Sequence, residues 1–166
     1  MKTHNSYLVD IVGLADGEHL VEFKISSSFF DRHTEVISAD MSVEITLTKI
    51  AQSINCSFCF NGIVDVLCDR CNEKLSLPLS FNKSLLFKFA EDEGELNEDI
   101  VCIQASSTNI DFSQYIYEFI TLELPMKKTH RNNECNKNVI AYLNNHNSRQ
   151  VQTPDPRWDE LQNLKL

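Results

Sequence analysis

Apolar and polar residues alternate strictly along much of the first hundred positions, and this period of two is the signature of half-buried strands. The pattern is cleanest from Val43, where Val43, Ile45 and Leu47 share one side and Glu44, Thr46 and Thr48 the other. Ile54, Cys56, Phe58 and Phe60 continue it, and Asn61-Gly62 reads as a turn before a further strand, Ile63 to Leu67. Leu75, Leu77, Leu79 and Phe81 alternate again, with Phe87 and Phe89 closing the run. Upstream, Tyr7 to Val12 and Leu20 to Ile25 are β-rich, separated by the turn-forming stretch GLADGEH. SSSFFDRH reads as a short helix or turn that buries Phe29 and Phe30.

The period then changes. After a short strand at Ile100 to Ile103, Phe112, Ile116, Phe119 and Ile120 recur at helical spacing. Asp111 and Gln114 predict a capping box at the start of this helix, and Pro125 stops it. A weaker helical run covers Val139 to Leu143. The expectation is a single α+β domain: an antiparallel β-sheet meander over residues 7–104, packed against one main helix at 111–124, with a short C-terminal helix. The domain is expected to span residues 1–145. Residues 146–166 then form a mobile, polar linker and a tail in which Trp158, Leu161 and Leu164 dock back on the body.

Composition narrows the function classes. The chain has 166 residues, 42% of them hydrophobic, so one core of ordinary size is available. No run is long and apolar enough for a membrane span, and MKTHNSYLVD lacks the apolar stretch of a secretory signal. These features predict a cytoplasmic protein whose cysteines stay reduced. The net charge of −9 argues against nucleic-acid binding by bulk electrostatics. Six carboxylates crowd into EDEGELNED, residues 91–99, predicting an exposed loop or a patch for a basic partner through Glu91, Asp92, Glu93 and Glu95.

Six cysteines carry the remaining chemistry. In CSFC, Cys56 and Cys59 of one strand point to opposite faces and cannot converge on one ion. Cys102 lies in a short apolar strand and reads as a buried thiol. CDRC differs because it falls between two strands, where a tight turn can aim Cys68 and Cys71 at one point. A tetrahedral zinc needs four ligands, and HRNNEC supplies His130 and Cys135, with Asp69 or a water as other candidates for the fourth place. A redox pair at Cys68 and Cys71 is disfavoured, since no βαβ unit surrounds it.

GLADGEHLVEFKI, FF, CDRCNEKL, IYEFITLELP, HRNNECN and DPRWDELQNLKL, in this order, resemble the large ribosomal RNA subunit accumulation protein family, the YceD-like proteins, in a Bacteroidetes-type form. The resemblance implies a role in large-subunit ribosomal RNA accumulation and ribosome assembly, without catalysis and with no small-molecule substrate. By position, the family's cysteine pair falls on Cys68 and Cys71 and its later His and Cys on His130 and Cys135. Two modes of action are compatible with the residues. In one, a structural zinc knuckle contacts ribosomal RNA through Arg70, Lys127, Lys128 and Arg131. In the other, the acidic stretch makes the chain a chaperone for a basic ribosomal protein. An enzyme is disfavoured: there is no Gly-rich phosphate loop, nucleophile elbow or HExxH.

Overall fold

The computed structural model describes residues 7–30, 35–90, 94–97, 99–131 and 134–147. Its centre is a sheet of six strands in the order β2-β3-β4-β5-β7-β6, where β2 is Gly17–Ser26, β3 Val36–Ile50, β4 Ser53–Leu67, β5 Lys74–Ala90, β6 Gly94–Asn97 and β7 Ile100–Gln104. A two-stranded ribbon pairs β1 (Leu8–Asp10) with β8 (Asn109–Asp111), and β8 leads directly into α1 (Ser113–Glu123). A second helix, α2, spans Lys137–Asn147. The α+β expectation holds, with α1 as the main helix and α2 as the short C-terminal one.

The alternation determines the register. Across β3, β4 and β5 the inward residues stay in line: Val43 faces Phe60, which faces Phe81, and Leu47 faces Cys56, which faces Leu85. Between them the outward rows are polar, with Ser42, Asn61 and Ser80 side by side. A one-residue slip would turn the apolar set towards water, so burial of one face fixes the pairing. A β-bulge between Val36 and Ser38 adds one residue to β3. The extra residue lets both Val36 and Ala39 reach the core while Ile37 points out.

Helix α1 closes the inner face through aromatic contacts. Phe112 meets Phe58 and Phe87 edge-on at 5.7 and 5.9 Å, and Phe119 meets Phe58 at 5.3 Å. Phe112, Ile116 and Ile120 are buried as expected, and Phe119 is half-buried at the rim of the same cluster. The helix ends at Glu123, and Leu124 turns extended before Pro125, as the proline requires.

Four local expectations are corrected. Asn61-Gly62 is not a turn: β4 runs straight through it. Glycine is needed there for close approach, since a Cβ at Gly62 would lie 2.4 Å from the Asp40 carbonyl oxygen and 2.5 Å from the Met41 Cα. The capping box at α1 does not form; Phe112 holds the N-cap position, the Asp111 carboxylate accepts the Ser113 N–H at 2.8 Å, and Gln114 bonds Glu118 instead. Asp111 is still paired in β8, one residue too early to cap. The acidic stretch is not all loop, because Gly94–Asn97 forms β6; residues 91–93 and 98 lie outside the described residues, as does the tail at 148–166. Finally, the meander is antiparallel only through β5. The chain returns as β6 one place further out, and β7 then fills the gap, antiparallel to β6 and parallel to β5.

The Gly62 contact gives a direct test. Gly62→Ala should destabilise the fold by about 1–3 kcal/mol, the usual cost of overpacking. Gly13→Ala, where an added Cβ meets nothing within 4 Å, should leave the urea midpoint nearly unchanged.

Candidate metal centre

Two loops on opposite sides of the α1 connection build the site. The first is the β4–β5 turn. Cys68 closes it by donating its N–H to the Glu73 carbonyl at 2.8 Å and accepting the Asn72 N–H at 2.8 Å. Asn72 takes a left-handed φ of 58°, a conformation that asparagine tolerates better than most residues. The second loop follows Pro125. It is zipped to the first by Asp69: the Asp69 N–H donates to the Lys128 carbonyl at 2.7 Å, and the Asp69 carboxylate accepts the Lys128 N–H at 2.6 Å.

This zipper brings Cys68, Cys71, His130 and Cys135 together. One ligand atom from each lies within 4.8 Å of all the others. The Cys68 and Cys135 sulfurs are 4.0 Å apart, and His130 Nδ1 lies 3.4 Å from the Cys71 sulfur and 3.9 Å from that of Cys135. A tetrahedron with zinc–sulfur bonds of about 2.3 Å has edges of about 3.8 Å, so the spacing fits a single four-coordinate ion. The three sulfurs are buried, with Leu75, Val139 and Ile140 packed around them. Among the described residues this is the group that can hold a metal ion.

The surroundings prepare the donors. His130 Nε2 donates to the Lys74 carbonyl at 3.1 Å, so in the neutral ring Nδ1 carries the lone pair and faces the thiols. Burial alone would raise the Cys68 thiol, but backbone N–H groups of Cys71, His130 and Arg70 outweigh it and bring its pKa down to about 6. Cys135 moves the other way, raised by burial and by the Cys71 and Cys68 sulfurs beside it. The Cys68 sulfur in turn raises the His130 imidazole. Negative charge thus settles on the Cys68 sulfur, which is the donor best prepared to receive a divalent ion at the centre.

A further layer of residues, invisible to motif reading, fixes the loops. Asn136 caps α2 by accepting the Asn138 N–H at 2.9 Å, and its amide donates to Glu73 at 2.6 Å. Asp65, on the outer face of β4, accepts hydrogen bonds from Ser38, from Ser76 at 2.6 Å and from Lys74 at 2.8 Å. It thereby steadies the strand end whose Lys74 carbonyl orients His130. An asparagine directly before a helical run was the one such signal in the sequence.

The remaining sequence-predicted residues separate. Arg70, Lys127 and Arg131 are exposed on the two zipped loops. Lys128 is a correction to the RNA-contact set: it is 9% exposed and its ammonium is ion-paired with Glu35, which raises its pKa. It serves as an internal tie rather than a free cation. Cys56 is buried, its thiol pushed up to about 12 by burial, and Cys59 faces outward on the same strand. Cys102 is buried too. Glu91, Asp92 and Glu93 lie outside the described residues, and Glu95 falls in β6.

With this geometry in place, comparison with known proteins identifies the chain. The family model described as large ribosomal RNA subunit accumulation protein YceD matches residues 56–165 of the 166, and the chain belongs to that family. No curated protein and no solved structure matches it. No helix among the described residues is long and apolar enough to cross a membrane.

The Asp65 network predicts a pH dependence. Its partners, Lys74 first and then Ser38 and Ser76, hold the carboxyl at about 2, below its ordinary 3.8. A depressed carboxylate contributes stability that is present above the unfolded value and lost as pH falls through the folded one. Urea midpoints should therefore drop between about pH 4 and pH 2, and Asp65→Asn should flatten that part of the profile.

Proposed function

We propose that this member of the YceD family supports accumulation of large-subunit ribosomal RNA as a non-catalytic assembly factor in the bacterial cytoplasm. Its Cys68, Cys71, His130 and Cys135 cluster holds a structural zinc ion. The observation that carries this reading is the convergence of four buried or half-buried soft donors at tetrahedral spacing, inside the segment that the family shares. Three thiolates and an imidazole suit zinc over calcium or magnesium, which take oxygen ligands. Four protein ligands leave no open coordination position for a substrate or water, so the ion organises loops and performs no chemistry. Once the loops are fixed, Arg70, Lys127 and Arg131 stand exposed on them and contact RNA phosphates.

A second reading is favoured by one observation. β6 is the outermost strand of the sheet, opposite β2, and an edge strand offers unpaired backbone groups for strand addition. Because β6 belongs to a sequence stretch, residues 91–99, with six carboxylates, this edge would engage a basic ribosomal protein, and the effect on RNA would be indirect. Crosslinking in cells followed by recovery of RNA and protein separates the two. Direct RNA capture supports the first reading, and capture of a basic protein with RNA absent supports the second.

Metal analysis of purified protein should return one zinc per chain, and Cys68→Ser or Cys135→Ser should lose it. Apparent binding energies of structural zinc are about 10–16 kcal/mol in small peptides, so chelation should greatly speed amide exchange over residues 127–147. A zinc-free protein with unchanged exchange would refute the site. For RNA, reversing Arg70, Lys127 and Arg131 to Glu should abolish crosslinking while zinc content stays full. In the milder variant with Arg70, Lys127 and Arg131 all changed to Gln, the salt slope of residual RNA retention should fall by about 2 in log–log terms, as expected for three lost phosphate contacts on a single strand.

A further inference from the structure

We propose that the C-terminal segment DPRWDELQNLKL, residues 155–166, docks on a groove at the end of α1, with Trp158 as its anchor. The groove has a volume of about 330 Å³ and is walled by Val36, Tyr117, Leu124, Pro125 and Met126, with Glu35 and Lys128 at its polar end. That volume is at the lower limit of ligand pockets, suited to one large side chain. Beside it the surface is unusually apolar for the last turn of a helix: Leu122 is 78% exposed and Met126 wholly so. None of the described elements covers these side chains.

The chain itself supplies a fitting occupant. Residues 148–157 contain a single large aliphatic residue, Val151, after which Trp158, Leu161 and Leu164 recur at the spacing of one helical face. The family match continues to residue 165, so this segment belongs to the shared unit. Reach is sufficient. α2 leaves the metal centre and runs 11 residues, about 16 Å. The ten residues that follow span up to about 33–36 Å when extended, enough to bring Trp158 back to the loop that α2 departs from. Lys127, exposed and next in sequence to the groove residues Met126 and Lys128, offers a charge opposite to those of Asp155, Asp159 and Glu160, whereas Lys128 is already paired with Glu35. The inference does not depend on zinc or RNA binding.

Trp158 is the only tryptophan of the chain, so its fluorescence reports on this segment alone. In the full-length protein, emission should be blue-shifted and acrylamide quenching several-fold weaker than in a synthetic 155–166 peptide. Met126→Glu and Thr121→Arg alter exposed groove residues, and each should return emission and quenching to peptide values while circular dichroism stays unchanged. Leu20→Glu, on the outer face of β2, should leave both signals as in the parent protein. Peptide-like emission in the parent protein would overturn the proposal. So would shielded emission that survives both groove variants, or shielding that fades on dilution, which would mark docking on a second copy.

Discussion

The chain beyond Pro125 has little apolar surface, and its structure depends on what four donor atoms and one aspartate hold in place. Between Met126 and Glu134, Lys128 is the described residue that reaches burial, and it does so by pairing with Glu35. Hydrophobic burial cannot order such a segment. The Asp69 hydrogen bonds and the convergence of Cys68, Cys71, His130 and Cys135 do so instead, and α2 follows because Val139 and Ile140 pack on the sulfurs. The sheet is therefore the mount and the cysteine turn its fixture. The exposed basic residues gain a defined position only through it.

Division of labour between the two helices follows from the same constraint. α1 lies on an aromatic bed of Phe58, Phe60 and Phe87 and needs no ion. Its last turn sets where the second loop begins, because Pro125 forces the chain out of the helix within reach of the β4–β5 turn. α2 packs Val139 and Ile140 into the cluster of three buried cysteines and Leu75, with Tyr142 turned to solvent. One helix belongs to the core and the other to the cysteine cluster.

Much of this was legible in the sequence. Period-two alternation located β3, β4 and β5, the switch to helical spacing located α1, and opposed strand faces removed Cys56 and Cys59 from the donor set. What escaped was non-local or depended on a single backbone approach. Asn-Gly is a strong hairpin signal, yet at Gly62 the glycine answers to the Asp40 carbonyl on a neighbouring strand, which no local window contains. The parallel placement of β7 depends on β6 passing it first, a choice of topology rather than of residue type. Lys128 looked like its neighbour Lys127 because charge is read from sequence while burial is not. The Asp69 zipper escaped for the same reason, since its partner lies 59 positions away.

That separation has a consequence during synthesis. The β4–β5 hairpin forms from adjacent strands, so the Cys68–Cys71 turn can adopt its final shape as soon as the hairpin has left the ribosome. His130 follows Ala90, the last residue of that hairpin, by 40 residues, which at about 5–20 residues per second takes about 2–8 s. For that interval the nascent chain displays two of the four candidate ligands, a pair of thiols on a preformed turn. An ion met then would be held loosely and would exchange freely. The later arrival of His130 and Cys135 would convert that reversible encounter into a locked one, so that firm loading would wait for both loops.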